Sequence, residues 1–403
     1  MNLEWKTVQL KDVLQPQGYI RGPFGSALKR GDMLENGIPV YEQQHAIYGS
    51  RQFRFYINQD KYNEMKRFTV QPNDIIISCS GTVGRVSIIK EEDPIGIISQ
   101  ALLLLRVNTD VIDPLYLCYF FRSYEGYNAI VSRSSGSVQV NISKRNVIEQ
   151  IPLRLPDLKT QQRIVSIVSN LDNRIENNKK INDNLYAQAR VITNQWIAEN
   201  DSDYELLPLN EVAAINPDTY SPKTDWEYVN YLDTSSITDG YITDIQRITP
   251  STEKLPSRAR RIIASNDVVF STVRPNQRHF GIISEPLPNM LASTGFAVIR
   301  SKNPLVCNEL IYLCLTDNAF IEKMQQLAEQ STSTFPSIKP SGLGVCEIPC
   351  PKDDSSRNLT ETLKTMFTLI AANHRENASL VELRDLLLQR LMSGEIDVSN
   401  IQL

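Results

Sequence analysis

Two stretches of the chain carry their apolar residues in alternating steps of four and three. In the first, Ile164, Val168, Leu171, Ile175, Asn178, Asn182, Leu185, Ala189, Ile192 and Trp196 mark one face. In the second, Leu359, Leu363, Met366, Ile370, Asn373, Asn377, Leu380, Arg384, Leu387 and Leu391 do the same, each 195 residues after its counterpart. A period of 3.5 is the a/d seam of a coiled coil, narrower than the stripe of a helix on a globular surface. No proline interrupts either run, so each predicts one long helix. Asp157 or Thr160 suits the first start, and Ser355, Ser356 or Asn358 the second; Gly394 suits the second stop. The 32 steps from residue 164 to residue 196 span about 48 Å at 1.5 Å per residue. That is the scale of one to two turns of duplex DNA, at roughly 34 Å each.

The asparagines at the centre of both seams are expected to set register. A buried amide is costly alone and tolerable when paired. The simplest partner for each helix is the other. A unit repeated once favours closed two-fold packing, which makes the helices antiparallel. Full overlap then sets Asn178 against Asn377 and Asn182 against Asn373. A parallel pairing would also match Asn with Asn, so the asparagines alone leave direction open.

The remaining chain repeats as well. Trp5–Leu10 is echoed by Tyr204–Leu209, and Asn73–Ser78 by Asn266–Ser271. Tyr116-Leu117-Cys118 returns as Tyr312-Leu313-Cys314, and Ile151-Pro152 as Ile348-Pro349. Four ordered matches at nearly constant offset define a duplication. Each copy holds short β-rich runs, such as 74–78, 83–89 and 101–107, punctuated by Gly and Pro. The fold class expected is α+β: two similar mixed domains separated by a long antiparallel two-helix coiled coil, with pseudo-two-fold symmetry. The boundaries expected are 1–155 for the first domain, 156–199 for the first helix, 200–349 for the second domain and 350–403 for the second helix.

At 403 residues and 41% hydrophobic content, the chain is long enough for two folded domains. Its start lacks the apolar stretch of a signal peptide, and its longest apolar runs are too short to span a bilayer. Six scattered cysteines without a C-x-x-C pair read as reduced thiols, so a cytoplasmic location is expected, with no membrane association. The net charge is −4, but it is uneven: residues 1–150 carry a net +2 and residues 200–347 a net −6. Global acidity argues against a non-specific DNA coater, while local patches still set the field at a groove.

No phosphate-binding loop, H-E-x-x-H pair, G-x-S-x-G elbow or N-P-P-[FYW] signature occurs. The three histidines, His45, His279 and His374, lie far apart, so no metal site and no catalytic residue is expected. Instead, loops rich in Arg, Gln, Asn, Ser and Thr recur in both copies. These side chains read base edges or hold phosphates. In the first domain the candidates for DNA contact are Lys29, Arg30, Gln43, Gln44, His45, Arg51, Ser80, Thr82, Arg85, Arg133, Ser137, Gln139, Asn141 and Lys144. In the second they are Arg258, Arg260, Arg261, Arg274, Asn276, Gln277, Arg278, Thr332, Thr334 and Lys339. A solvated loop explains any one cluster; their recurrence is what favours DNA. The alternative is a two-domain coiled-coil scaffold that grips protein or carbohydrate.

With these residues in view, the chain resembles the DNA-specificity (S) subunit of type I restriction–modification enzymes, over nearly its full length. The likeness is carried by residues 23–26 (PFGS), 37–40 (GIPV), 43–45 (QQH) and 77–84 (ISCSGTVG). It continues through the exit at 151–156 (IPLRLP), Gln162-Arg163-Ile164 at the helix start, and 386–394 (LLLQRLMSG). The resemblance implies two target-recognition domains, each reading half of a bipartite site, with the helices as a ruler. It also implies docking of two methyltransferase (M) subunits and, through the complex, of restriction/translocase (R) subunits. The subunit itself would be non-catalytic and hold no cofactor; S-adenosylmethionine and ATP would belong to its partners. The sequence departs from the family at Thr160-Gln161-Gln162, where Glu often precedes Gln, and at Pro351–Asp354.

Overall fold

A computed structural model describes residues 5–24, 27–134, 140–200, 202–221, 223–224, 226–331, 335–399 and 401. The first domain opens with β1 (Lys6–Gln9) and β2 (Leu14–Arg21), followed by β3 (Ile38–Tyr41), α1 (Gln43–Tyr48), β4 (Tyr56–Ile57) and α2 (Gln59–Glu64). Then come β5 (Ile75–Ser78), β6 (Val86–Ile88), β7 (Ile97–Ile98) and β8 (Leu102–Val107). Helices α3 (Pro114–Arg122), α4 (Tyr124–Val131) and α5 (Arg145–Ile148) precede β9 (Pro152–Leu155) and the long α6 (Leu158–Glu199).

The second domain repeats the scheme. It holds β10 (Tyr204–Pro208), α7 (Leu209–Val212), β11 (Ala213–Ile215), β12 (Val229–Leu232), β13 (Ile237–Thr238), β14 (Tyr241–Ile242) and β15 (Gln246–Ile248). It continues with β16 (Ala259–Ile262), β17 (Asp267–Ser271), β18 (Phe280–Ile283), β19 (Met290–Ser293), β20 (Phe296–Ser301), α8 (Asn308–Leu315), α9 (Asn318–Glu329), α10 (Pro340–Gly344) and β21 (Glu347–Pro351). It ends in the long α11 (Arg357–Met392).

The main sheets of the two copies correspond, and the second copy adds β16 and a β13–β14 hairpin. One sheet runs β2-β8-β5-β6 in the first copy and β11-β20-β17-β18 in the second. Another runs β4-β3-β7, answered by β15-β12-β19 with β16 added at its edge. In both, one pair of strands is parallel, β3 with β7 and β12 with β19. The ends of each copy are tied by an antiparallel pair, β1 with β9 and β10 with β21. The β-rich runs expected at 74–78, 83–89 and 101–107 form β5, β6 and β8. The repeated Tyr-Leu-Cys triplets fall in α3 and α8, whose apolar residues are nearly all buried.

One buried ion pair recurs with the sheet. Asp74, 1% exposed, accepts two hydrogen bonds from Arg106 at 2.8 and 2.7 Å. Asp267, 0% exposed, accepts two from Arg300 at 2.7 and 2.8 Å. Each aspartate also closes a turn, taking the backbone N–H of Gln71 or Ala264. Both turns hold an Asn at positive φ, Asn73 (72°) and Asn266 (61°), a conformation Asn tolerates.

The chain divides into two compact units, Met1–Ile175 with Ala378–Leu403, and Glu176–Asn377. Each unit therefore includes a stretch of both long helices. In the first, Ile164, Val165 and Val168 of α6 and Leu388, Leu391 and Met392 of α11 join the core of the first domain. In the second, Ala189, Leu359, Leu363 and Phe367 join the core of the other. Low numbers on one helix meet high numbers on the other, so the helices are antiparallel. All twenty seam positions are buried or half-buried. Asp157 caps the start of α6: its Oδ1 accepts from the Thr160 backbone at 2.9 Å, which holds the carboxyl below its usual range. Gly394, at φ 75°, follows the end of α11.

In the second unit Asn178 Nδ2 donates to Asn377 Oδ1 at 2.9 Å, and Asn373 Nδ2 donates to Asn182 Oδ1 at 2.7 Å. Asn178 and Asn182 are 1% and 0% exposed. The amides satisfy one another where water is excluded. No helix among the described residues is long and apolar enough to cross a membrane.

Candidate nucleic-acid interface

Strand β5 of the first domain ends at Ser78, and the chain turns back through residues 79–85. Gly81 (φ 68°) and Gly84 (φ 86°) supply the left-handed backbone this turn requires. Ser78 pins it: its Oγ accepts from Arg85 N at 3.0 Å. Gln43, at the start of α1, grips it from the side. Its Nε2 donates to Ser80 O at 2.5 Å, and its Oε1 accepts from Ser80 N at 3.1 Å. From the other side Gly81 N donates to Val140 O and Ile142 N to Cys79 O, both at 2.9 Å. Loops far apart in sequence thus bring Gln43, Ser80, Thr82, Arg85 and Asn141 together. Thr82, Arg85 and Asn141 are exposed, and the Arg85 guanidinium lies 4.9 Å from the Tyr127 ring centre.

Other first-domain candidates lie on separate turns and helix ends. Lys29 and Arg30 are exposed around a short 3-10 turn, closed by Asp32, which accepts from Lys29 N at 2.7 Å. Lys144 is exposed just before α5. Gln44 donates to Gln52 O, and Arg133 donates to Ala129 O. Two residues are committed to the fold. His45 is 0% exposed: Nδ1 accepts from Glu42 N at 2.7 Å, Nε2 lies 3.1 Å from Gln52 O, and the ring stacks on Phe53 at 4.7 Å. Burial pulls its pKa below the ordinary histidine value. A ring so enclosed presents no edge to a base, which corrects the expectation of a DNA contact there. Arg51 likewise spends its guanidinium inside, on Asp93 at 2.8 Å and the Ile88 carbonyl at 2.8 Å.

The second domain builds the corresponding place differently. Residues 274–278 form a short 3-10 turn bracketed by two left-handed arginines, Arg274 (φ 48°) and Arg278 (φ 58°). Such strain in non-glycine residues concentrates at working sites. Arg274 N donates to Pro336 O at 2.9 Å, and its guanidinium lies 4.8 Å from the Phe335 ring centre. Phe335 is 53% exposed. Thr272, equivalent to Cys79, accepts from Ile338 N and donates to Gly295 O. Asn276, Gln277 and Lys339 are exposed on this rim. Arg258 is exposed too, and its carbonyl accepts from Thr294 N beside Gly295. Arg278 is engaged, donating to Asp239 at 2.6 Å and to Asn318 at 3.0 Å. Arg260 and Arg261 lie half-buried on β16, and burial lowers the Arg261 pKa. Ser137, Gln139, Thr332 and Thr334 fall outside the described residues.

The sequence alone did not single out Tyr127 or Phe335 as platforms for arginine. The signal for Phe335 was present, an aromatic residue inside a Ser/Thr run ahead of Lys339. All six cysteines are free. No group of three or more His, Cys, Asp or Glu residues suited to a metal occurs among the described residues.

Two β-rich copies, each with a polar rim of loops and each packed on antiparallel helical segments, define a duplicated recognition-domain protein of the α+β class. Residues 2–187 match the family described as the type I restriction modification DNA specificity domain. The chain is 23% identical to the type I restriction enzyme MjaVIII specificity subunit of Methanocaldococcus jannaschii over 423 residues, covering 99% of this chain and 94% of that one. It is 23% identical to the HindI specificity subunit of Haemophilus influenzae, covering 74% and 81%. Among solved structures it is similar to the type I restriction–modification S subunit from M. genitalium. There the TM-score is 0.55 at 16% identity, covering 97% of this chain and 96% of that one. The resemblance read from the sequence is borne out: residues 2–187 carry the family match, and the likeness to curated specificity subunits of type I restriction enzymes extends over nearly the whole chain.

Proposed function

We propose that this chain is the DNA-reading subunit of a type I restriction–modification complex, with each domain reading one half of a bipartite site. The observation that carries this reading is the recurrence, on one duplicated sheet plan, of a polar rim built at the same strand ends. In the first domain the rim offers Thr82, Arg85 and Asn141 beside the Gln43–Ser80 clamp. In the second it offers Arg274, Asn276, Gln277 and Lys339. Amide and guanidinium groups recognise base edges; hydroxyl and ammonium groups hold phosphates. On this reading the long helices are the ruler between half-sites.

The subunit performs no chemistry of its own in this account. Two methyltransferase subunits dock on it and bring S-adenosylmethionine, and restriction subunits that use ATP join through them, in the cytoplasm. Exposed Ile181 and Val191 on α6, and Leu369, Leu383 and Leu386 on α11, give apolar contact area for such partners. The scaffold alternative, gripping protein or carbohydrate, has no specific observation in its favour.

The test is a gel-shift with random and genomic duplexes, using the full chain co-expressed with its methyltransferase. Specific retardation of a bipartite site is expected. Arg274→Ala should relax recognition of one half-site by about 1–3 kcal/mol and spare the other. Equal loss at both halves, or no specific binding by the complex, would refute the reading.

A further inference from the structure

The two repeats differ at one layer of the helix pair. In the first unit Asp172 of α6 meets Arg384 of α11, with Nη1 donating to Oδ1 at 3.0 Å. The Tyr119 hydroxyl donates to the same carboxylate at 2.9 Å, and Arg122 lies 3.4 Å from it. Arg384 also donates to Asp385 on its own helix. The Asp172 and Arg384 side chains are 24% and 26% exposed. In the second unit the 195-residue offset puts Phe367 in the place of Asp172 and Ala189 in the place of Arg384. Ala189 is fully buried and Phe367 is 2% exposed. Phe367 packs edge-on against Tyr186 and Tyr312, with ring centres 5.5 and 5.6 Å away. A charged layer in one repeat is thus an apolar layer in the other.

We infer that this layer tells the two long helices apart and excludes pairing of like helices between two copies of the chain. The asparagine layers cannot do so. If α6 paired antiparallel with α6 of a second copy, the offset would set Asn178 opposite Asn182 of that copy, and both amides would still find partners. The charged layer would fail. Asp172 would face Ala189 and lose Arg384. In the matching α11 pair, Arg384 would enter the enclosed place of Ala189, against Phe367 and the Tyr312 ring packed on it. A guanidinium there is too large for the place, loses Asp172 and keeps only Asp385 of its own helix, and a half-buried charge that gives up a partner is disfavoured. A single such polar layer fixes partner choice in coiled coils even where it adds no stability.

The experiment makes the two layers alike. The full chain carrying Asp172→Phe and Arg384→Ala is unfolded in urea and refolded at micromolar concentration beside the wild type. Sedimentation velocity then reads the dimer fraction, and near-ultraviolet circular dichroism reports native packing. The dimer fraction should rise about tenfold or more, the effect of a penalty near 1.4 kcal/mol. Adding Asn178→Cys and Asn182→Cys to that chain should trap the dimer through an interchain disulfide between the two α6 helices. A natively packed variant with the wild-type dimer fraction overturns the inference, as does a dimer that does not cross-link. Should the double variant fail to fold, Arg384→Ala alone decides. It removes the residue that cannot enter the Ala189 place, and must raise the dimer fraction above that of the wild type.

Discussion

At the scale of single residues, polarity in the sequence did not separate reading groups from structural ones. Gln43, Gln44 and His45 are three adjacent polar residues, yet one clamps a loop 37 positions away and one is sealed in the core. Nothing in a polar run announces burial; only the packing of Tyr41 and Phe53 around the ring does. The His45 ring has a pH signature. Its pKa is depressed by burial, so above roughly 6.5, the unfolded value, its neutral form costs nothing. As pH falls through that value the unfolded chain takes up a proton that the folded chain refuses, and stability drops. Urea midpoints at pH 7.5 and 5.5 should therefore differ more for wild type than for His45→Gln; equal differences would contradict this. The aspartates of the recurring ion pair are tested by Asp74→Ala. It leaves Arg106 half-buried and unpaired and should cost about 3 kcal/mol or more. Calorimetry of the variant checks this, and a loss under 1 kcal/mol would mean that the pair is unimportant.

At the scale of elements, what was legible depended on period. The long helices were read from a seam repeated ten times at one offset, a pattern that burial alone does not demand. Their antiparallel direction came from the duplication, and the Asn178–Asn377 and Asn182–Asn373 pairs follow from it. The helices inside the domains were not read. In α3, Tyr116 to Phe121 are all buried, so no polar face breaks the run into a helical period. The rims were legible as loop composition but not as sites. Gln43, Ser80 and Asn141 are joined by backbone bridges and an amide clamp, which leave no local pattern in the sequence. The asparagine layers carry a prediction at this scale. Replacing Asn178 and Asn377 together by Leu should raise the thermal midpoint, because an apolar pair fills the layer without amide desolvation. Replacing Asn178 alone should lower it, since Asn377 loses its acceptor role toward the Asn178 amide. The same change in both variants would argue against amide pairing as the reason for these residues.

At the scale of the molecule, the proposed function has two parts: each domain reads DNA, and the helices set the distance between the two half-sites. The first rests on residues, the second on the continuity of α6 and α11 as elements of 42 and 36 residues. The measurement that tests both together is the methylated sequence itself, mapped genome-wide in cells that co-express the methyltransferase. Four residues inserted at matching places in both helices add about 6 Å, close to two base pairs at 3.4 Å each. The insertion variant should methylate the same two half-sites with the gap between them lengthened by one or two base pairs. An active variant that keeps the original gap would show that the helices do not set the spacing.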